Sequence, residues 1–279
     1  SVTDEEVAVI RKSDGSVNKM RTEPRGSYNV LRMKQEWDNG SWWGGMATMT
    51  AVEDEVPALS GGSDWSLRMM DGRYTMDGYL AGTHNQSGSG TAGRFLISRI
   101  SAEHWFPTVS YNYYSRKFAP NDIGFFAQPH DHGGYGQLIY RENAARGMFL
   151  RYSFALNPEA RWNWDGVRTH ALVRADAVGE FRNFWEATLS YARTLPAYDD
   201  EEKGIIGLYH RPGSHTALLS VQTDDRHALV ASAAAAYERD DLNKSSVIGQ
   251  LALTFRPSAW LELNPTVYYQ QTLDEEAWL

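Results

Sequence analysis

Apolar and polar residues alternate along most of the chain, and a period of two is typical of β-strands, whose successive side chains point to opposite faces. The clearest example covers residues 148–157. One face takes Met148, Leu150, Tyr152, Phe154 and Leu156, and the other takes Phe149, Arg151, Ser153, Ala155 and Asn157. The pattern therefore predicts a strand with one apolar face and one largely polar face.

The same alternation recurs between residues 28 and 279 and predicts about fourteen strands of about 9–12 residues each. Residues 1–27 are polar and irregular and are predicted to form a loop. Tight turns, as at residues 38–40 and 71–73, alternate with longer polar connections, as at residues 86–93. Strands of this length, with tight turns on one side and long loops on the other, are typical of an antiparallel transmembrane β-barrel.

A soluble propeller or sandwich would also contain alternating strands and regular turns. The barrel is favoured because charged residues recur in mid-strand on the face opposite the apolar one, which suits a water-filled lumen. The repeat also lacks the glycine–aspartate signature of propeller blades. The sequence thus predicts an all-β fold in which residues 28–279 form an outer-membrane β-barrel.

A barrel of this kind implies two sets of candidate residues. The positions predicted to line the lumen are Arg32, Lys34, Glu36, Arg68, Asp77, Arg151, Arg168, His170, Arg174, Asp176, Glu186, Arg256 and Glu262. The aromatic residues predicted to lie at the membrane interface are Trp37, Trp65, Trp105, Trp185 and Trp260. Opposed charges in the first set could plug the lumen or tune its selectivity, and the sequence leaves both interpretations open.

Composition narrows the class of protein further. A formal net charge of -8 and a pI near 5.5 argue against nucleic-acid binding, which needs a basic surface. The chain has no cysteine, which excludes disulfides and thiolate metal sites. It shows no apolar span of about 20 residues, a test for membrane helices that barrel strands escape. Residues 1–6 are polar and acidic, so we expect a removed signal peptide or an internal piece of a longer protein.

Three short motifs match binding sites without the context that the chemistry needs. Residues 88–93 fit a G-x-G-x-x-G pattern, but no helix is predicted after them, which favours a flexible loop. His130, Asp131 and His132 are weak metal candidates, because adjacent side chains in an extended loop diverge and a third ligand of suitable spacing is not evident. The acidic residues 199–202 could hold a surface divalent cation, although a charged loop is the simpler interpretation. We predict no cofactor.

A catalytic set is also not predicted. His170 lies on the polar side of its strand among charged residues, and a serine hydrolase would need a nucleophile positioned beside such a base. The chain contains no nucleophile elbow or paired serine motif, so a polar network is the preferred interpretation.

Several segments, taken in order, resemble a known family. They include FAPNDIGFF at residues 118–126, WNWDG at 162–166, NGSWWGGMATM at 39–49, YTMDGYLAGTH at 74–84 and LTFRPSAWLELNPTVYYQ at 253–270. Together they resemble the outer-membrane barrel domain called domain of unknown function 5916, which usually follows a family-9-like carbohydrate-binding domain. The resemblance implies the central part of a longer barrel, whose closure would need further strands or another chain.

The expected role is a pore or membrane anchor of the bacterial outer membrane, linked to uptake or handling of extracellular carbohydrate. Expected partners are outer-membrane lipids, lipopolysaccharide, other outer-membrane or periplasmic subunits and a glycan, but not nucleic acid. Two alternatives stay open: a plugged scaffold barrel of a secretion or assembly complex, and an outer-membrane hydrolase of lipid or glycan.

Overall fold

The structure is a computed structural model that describes residues 1–11, 16–120, 130–200, 207–258 and 260–273. The regular elements of these residues are strands. They are β1 (Val2–Thr3), β2 (Glu6–Arg11), β3 (Val17–Glu23), β4 (Gly26–Glu36), β5 (Trp42–Val52), β6 (Ala58–Met69), β7 (Tyr74–Asn85), β8 (Gly88–Arg99), β9 (Trp105–Tyr114), β10 (Asp131–Glu142), β11 (Phe149–Asn163), β12 (Arg168–Phe181), β13 (Glu186–Thr194), β14 (Ala197–Asp199), β15 (Tyr209–Arg211), β16 (Ser214–Gln222), β17 (Leu229–Asp240), β18 (Ser245–Ser258), β19 (Leu261–Leu263) and β20 (Thr266–Leu273). No helix in the described part of the chain is long and apolar enough to cross a membrane.

Sixteen strands form one antiparallel sheet, so the predicted all-β antiparallel fold is confirmed. Its order follows the chain, except that β1 lies beside β4, β13 beside β16, and both β19 and β20 beside β18. Strands β2 and β3 form a separate hairpin, as do β14 and β15. Fourteen strands of the main sheet have eight or more residues, in agreement with the predicted number.

The chain divides into two compact units. Unit 1 comprises residues 1–97 and 111–132, and unit 2 comprises residues 98–110 and 133–279. In unit 1, β4 to β7 pair in succession through the tight turns that the sequence predicts at residues 38–40 and 71–73.

Each unit has an apolar face and a polar face, because residues paired across antiparallel strands share a face. In unit 1 the polar face carries the row Lys34, Gly44, Asp64 and Tyr79, and the apolar face carries Leu67 opposite Met76. In unit 2, one row of cross-strand neighbours on the apolar face consists of Phe154, Ala177, Leu189, Leu219 and Ala235. The adjacent row, on the polar face, consists of Ala155, Asp176, Ser190, Leu218 and Ala236. The segregation follows the period of two that the sequence displays.

Large apolar side chains remain exposed on the apolar face of unit 2, where Leu189 is 56% and Leu219 is 51% exposed. The described residues with buried apolar side chains are few: Ala92, Phe118, Ala171, Ala197 and Val230. Because both faces of a single sheet layer are open unless another layer covers them, the apolar side chains do not form a closed core.

Several predicted boundaries are wrong, because the strands extend further than the turn residues suggest. Residues 88–93, predicted to be a flexible loop, begin β8, and residues 1–27, predicted to be irregular, contain three strands and the start of a fourth. Strand β11 continues to Asn163. The strict alternation of tight turns and long loops is therefore wrong too, because β4 to β7 are joined by short connections throughout, at residues 37–41, 53–57 and 70–73.

Candidate functional site

The polar face of unit 2 carries a hydrogen-bonded network centred on Asp176. Its carboxylate accepts hydrogen bonds from Asn157 Nδ2 (2.9 Å), Arg174 Nε (3.0 Å) and Ser190 Oγ (2.6 Å). The register explains the convergence, because Asn157 lies opposite Arg174 and Asp176 lies opposite Ser190. Gln137 Nε2 donates to Asn157 Oδ1 at 2.8 Å, which extends the network to β10. Four strands are thus tied together by side chains on one face.

A second charged group on this face lies nearer the turn that joins β10 and β11. Arg151 pairs with Glu180, and its Nη2 lies 3.9 Å from Glu186 Oε1. These residues border a concavity of about 300 Å³ that Arg141 also lines. The Arg151 side chain is 64% exposed, so water reaches this group and screens its charges.

The polar face of unit 1 has its own ion pairs. Arg32 Nη2 donates to Asp64 Oδ2 at 2.7 Å, and Lys34 Nζ lies 2.5 Å from Glu36 Oε1. A Cβ at Gly44 would lie 2.6 Å from Asp64 Oδ1 and 2.9 Å from Arg32 Nη2. The glycine therefore leaves the space that the Arg32–Asp64 pair occupies.

Residues 115–120, which we call the covering segment, lie over the polar face of unit 1. Thr91 N donates to Ser115 Oγ at 2.7 Å, and Ala119 N donates to Thr83 Oγ1 at 3.1 Å. Phe118 is 7% exposed. A Cβ at Gly90 would lie 2.1 Å from the backbone nitrogen of Phe118, so only glycine allows this approach.

Gly90 thus has a structural role that the sequence did not reveal, because it admits the main chain of the covering segment. A cavity of about 330 Å³ remains beside the covering segment, lined by Arg32, Asp64, Tyr79, Thr83, Phe118 and Pro120 among others. The lining of this cavity combines the charged side chains of Arg32 and Asp64 with apolar residues such as Phe118 and Pro120.

The structure brings some of the predicted lumen residues together and leaves others apart. The predicted residues found in mutual ion pairs are Lys34 with Glu36, Arg151 with Glu186, Arg174 with Asp176, and Arg256 with Glu262. Arg68 lies opposite Thr75, and Asp77 lies opposite Ser66. Arg168 donates to the carbonyl of Pro196 instead of a carboxylate, and His170 lies opposite Arg161. Their assignment to a lumen stays a prediction.

Sequence reasoning missed several members of these groups. Asp64, Asn157, Glu180 and Ser190 take part in the contacts above but were not among the candidates. Alternation already places Asn157 on the same face as Arg151, but an amide or a hydroxyl on a polar face is less distinctive in a sequence than a charge.

The predicted interface aromatics occur close to tight turns. Trp37, Trp105, Trp185 and Trp260 are between 43% and 84% exposed. Trp65 differs, because a Cβ at Gly78 would lie 2.6 Å from its ring and its Nε1 is buried without a hydrogen-bond partner. Trp65 therefore covers a glycine of the paired strand on the apolar face.

Phe149 makes the same contact in unit 2, although alternation places it on the polar side. A β-bulge between Phe149 and Arg151 shifts the register, so that Phe149 pairs with Phe181. The two ring centroids lie 4.9 Å apart, and a Cβ at Gly179 would lie 2.7 Å from the Phe149 ring. The bulge thus moves an aromatic ring onto the apolar face.

The metal candidates gain no support from geometry. Among the residues that the structure describes, no group of three or more histidine, aspartate or glutamate side chains is arranged to hold a metal ion. Tyr111 OH and His132 Nδ1 share a hydrogen bond of 3.1 Å. Asp200 accepts a hydrogen bond from Asn163 Nδ2 at 2.5 Å, and residues 201–202 of the acidic cluster lie outside the described residues.

The turn between β16 and β17 carries a firmly held carboxylate. Arg226 donates to Asp224 through its backbone N (3.0 Å), Nε (2.8 Å) and Nη2 (2.6 Å), and its guanidinium lies 3.2 Å from the centroid of Phe184. The hydrogen bonds from the Arg226 side chain lower the pKa of Asp224 from 3.8 to about 2, against an opposing effect of desolvation.

These features define a class of protein: an all-β domain built on one antiparallel sheet, with exposed apolar side chains on one face and ionic side chains on the other. The chain belongs to the family described as Domain of unknown function (DUF5916), whose profile matches residues 1–279. No curated protein and no solved structure matches the chain.

Proposed function

We propose that the domain is part of an outer-membrane β-barrel that serves as a pore or membrane anchor. In each unit the apolar face would meet lipid and the polar face would meet lumen water. The observation that carries the proposal is the exposure of large apolar side chains such as Leu189 and Leu219, opposite a face that bears the Asp176 network. Water penalises the first arrangement, whereas a bilayer favours it.

The proposal requires every strand edge within the bilayer to be paired, because lipid cannot satisfy free backbone groups. The order of the sheet has β1 at one end and the partners of β18 at the other. Closure would pair these edges with each other, with further strands or with another chain. A link to extracellular carbohydrate is part of the proposal and rests on the resemblance alone.

A neighbouring pair of leucines on β16 tests the proposal. Leu219 lies on the apolar face and Leu218 on the polar face, paired with Leu189 and Ser190 respectively. We expect Leu219→Arg to destabilise the membrane-inserted fold by about 2–4 kcal/mol and to deplete folded protein from outer membranes. The matched variant Leu218→Arg should accumulate normally, as measured by heat-modifiable migration in electrophoresis. Equal tolerance of both changes, or wild-type protein that is monodisperse without detergent, would contradict the proposal.

A second candidate function, a plugged scaffold barrel of a larger complex, is favoured by the covering segment. Its main chain occupies part of the polar face of unit 1, with Phe118 buried beneath it. Conductance of the purified protein in planar bilayers separates the two roles. Open channels across many insertions would support a pore, and their consistent absence with stoichiometric co-purifying partners would support a scaffold.

A further inference from the structure

A row of basic side chains crosses three strands of unit 2 on the apolar face. Arg193 of β13 pairs with His215 of β16, which pairs with Arg239 of β17. Paired residues of adjacent antiparallel strands have Cβ atoms about 5 Å apart. The three side chains therefore form a continuous strip at the ends of their strands, next to the connections at residues 195–213 and 241–244.

The residues beside this strip follow a graded order. Two residues closer to the middle of each strand, on the same face, lie Tyr191, Ala217 and Tyr237. Two residues further along lie Leu189, Leu219 and Ala235. Along β13 and β17 the side chains therefore change from apolar to aromatic to basic. A bilayer changes in the same order, from acyl chains through the interface to charged headgroups. The order occurs on the face that the proposed function assigns to lipid.

The charge of the strip is only partly neutralised. Arg193 donates to both carboxylate oxygens of Asp241 at 2.9 and 3.0 Å. Arg239 Nη2 donates to the amide oxygen of Asn243 at 2.6 Å, and within the described residues it makes no ion pair. Tyr191 OH and His215 Nδ1 share a hydrogen bond of 2.6 Å.

The neighbouring carboxylates do not change this balance. Glu238 and Asp240 flank Arg239 on its own strand, and alternation places both on the polar face. The Asp240 carboxylate is engaged with the backbone nitrogens of Leu242 and Lys244. The apolar side of these strand ends thus presents Arg239 and His215, both exposed, as donors for an anion.

We propose that the strip formed by Arg193, His215 and Arg239 binds the phosphate groups of lipopolysaccharide. This inference rests on the proposed function, because it places the strip at headgroup level of the outer leaflet. Arginine presents a planar fork of donors that matches phosphate oxygens, and the tyrosine row would lie against the boundary between sugar and acyl chains. The partner is therefore a phosphorylated lipid and not a soluble anion.

The test uses the whole chain purified in detergent and incubated with lipopolysaccharide, followed by measurement of the lipid retained at gel filtration. The double variant Arg239→Gln/His215→Gln should retain about tenfold less lipopolysaccharide than wild type, since the guanidinium and imidazole donors are both lost. The matched control Arg161→Gln removes one arginine from the polar face and should bind as wild type does. Dephosphorylated lipopolysaccharide should bind weakly to all three proteins.

Three outcomes would overturn the site: unchanged retention by the double variant, equal retention of phosphatidylglycerol, or displacement of the lipid by millimolar inorganic phosphate. The last two would mean a general anionic-lipid site or a phosphate site. If the wild type proves soluble without detergent, the proposed function fails and the site fails with it. If the protein needs detergent but loses no lipopolysaccharide on substitution, the site alone fails.

Discussion

The polar face of unit 1 is covered by main chain, whereas the polar face of unit 2 is crossed by side-chain hydrogen bonds. In unit 1, the covering segment approaches Gly90 where a side chain would not fit. In unit 2, Asp176 accepts hydrogen bonds from Arg174 on its own strand and from Asn157 and Ser190 on the two neighbouring strands. The same alternating pattern therefore occurs with two different coverings of the polar face. Alternation determines which residues lie on each face of the sheet, but not which atoms pack against that face.

Among the substitutions that test this comparison of the two polar faces, the largest expected loss of stability comes from adding one methyl group in unit 1. In Gly90→Ala, the new Cβ would overlap the backbone of residues 117 and 118, so the covering segment must move away. We expect a loss of about 2–3 kcal/mol of stability, typical of overpacking at a tight contact. Trypsin should then cleave after Arg116 or Lys117, which we expect the wild type to resist, and mass spectrometry of the fragments would show the site.

The control for this variant is Gly249→Ala, a strand glycine of unit 2 whose new Cβ would meet nothing within 4 Å. It should leave both stability and the tryptic pattern unchanged. Rapid cleavage of wild-type protein at residues 116–117 would contradict the described position of the covering segment.

In unit 2, Asp176→Ala should lower the free energy of unfolding by about 1–2 kcal/mol, because Asn157, Arg174 and Ser190 lose a charged acceptor. Asp77→Ala is the matched change in unit 1, since within the described residues the Asp77 carboxylate makes no hydrogen bond or ion pair. Asp77→Ala should therefore lower the free energy of unfolding far less than Asp176→Ala does. Urea titration of both variants in detergent micelles measures the difference, and equal losses would show that the network does not stabilise unit 2.

The smallest expected effect lies outside both faces, in the turn that holds Asp224. Its pKa is about 2 in the folded chain and 3.8 without its partners. Because the folded value is depressed, the carboxylate contributes stability that is full above pH 3.8 and is lost as the pH falls through 2. Asp224→Asn should therefore flatten the dependence of unfolding on pH between 4 and 2, whereas Asp225→Asn should leave its slope intact.

Much of the fold could be predicted, because strand identity and facing are local properties of the sequence. Alternation predicts that Arg68 and Asp77 share one face of their hairpin, and the register, with Arg68 opposite Thr75 and Asp77 opposite Ser66, agrees with that facing. The charged pair of Arg174 and Asp176 was also predicted on one face.

What the sequence could not predict depends on contacts between distant segments. Residues 88–93 have the composition of a loop, and the approach of the covering segment, which the sequence does not show, explains why the strand there needs glycine at position 90. The bulge beside Phe149 has no signature in alternation, so the ring was assigned to the wrong face. The basic strip was missed because its three members come from different strands and meet only once the register is known.

The contact at Gly90 also has a consequence for how such a domain can diversify. Because main chain meets main chain there, the contact with Gly90 does not involve the side chains of residues 117 and 118. A substitution of Phe118 or Pro120, both of which line the adjoining cavity, would therefore change the chemistry of that cavity without removing the backbone contact at Gly90. Selection for new ligands would act on the segment, and selection for the fold would act on the glycine beneath it.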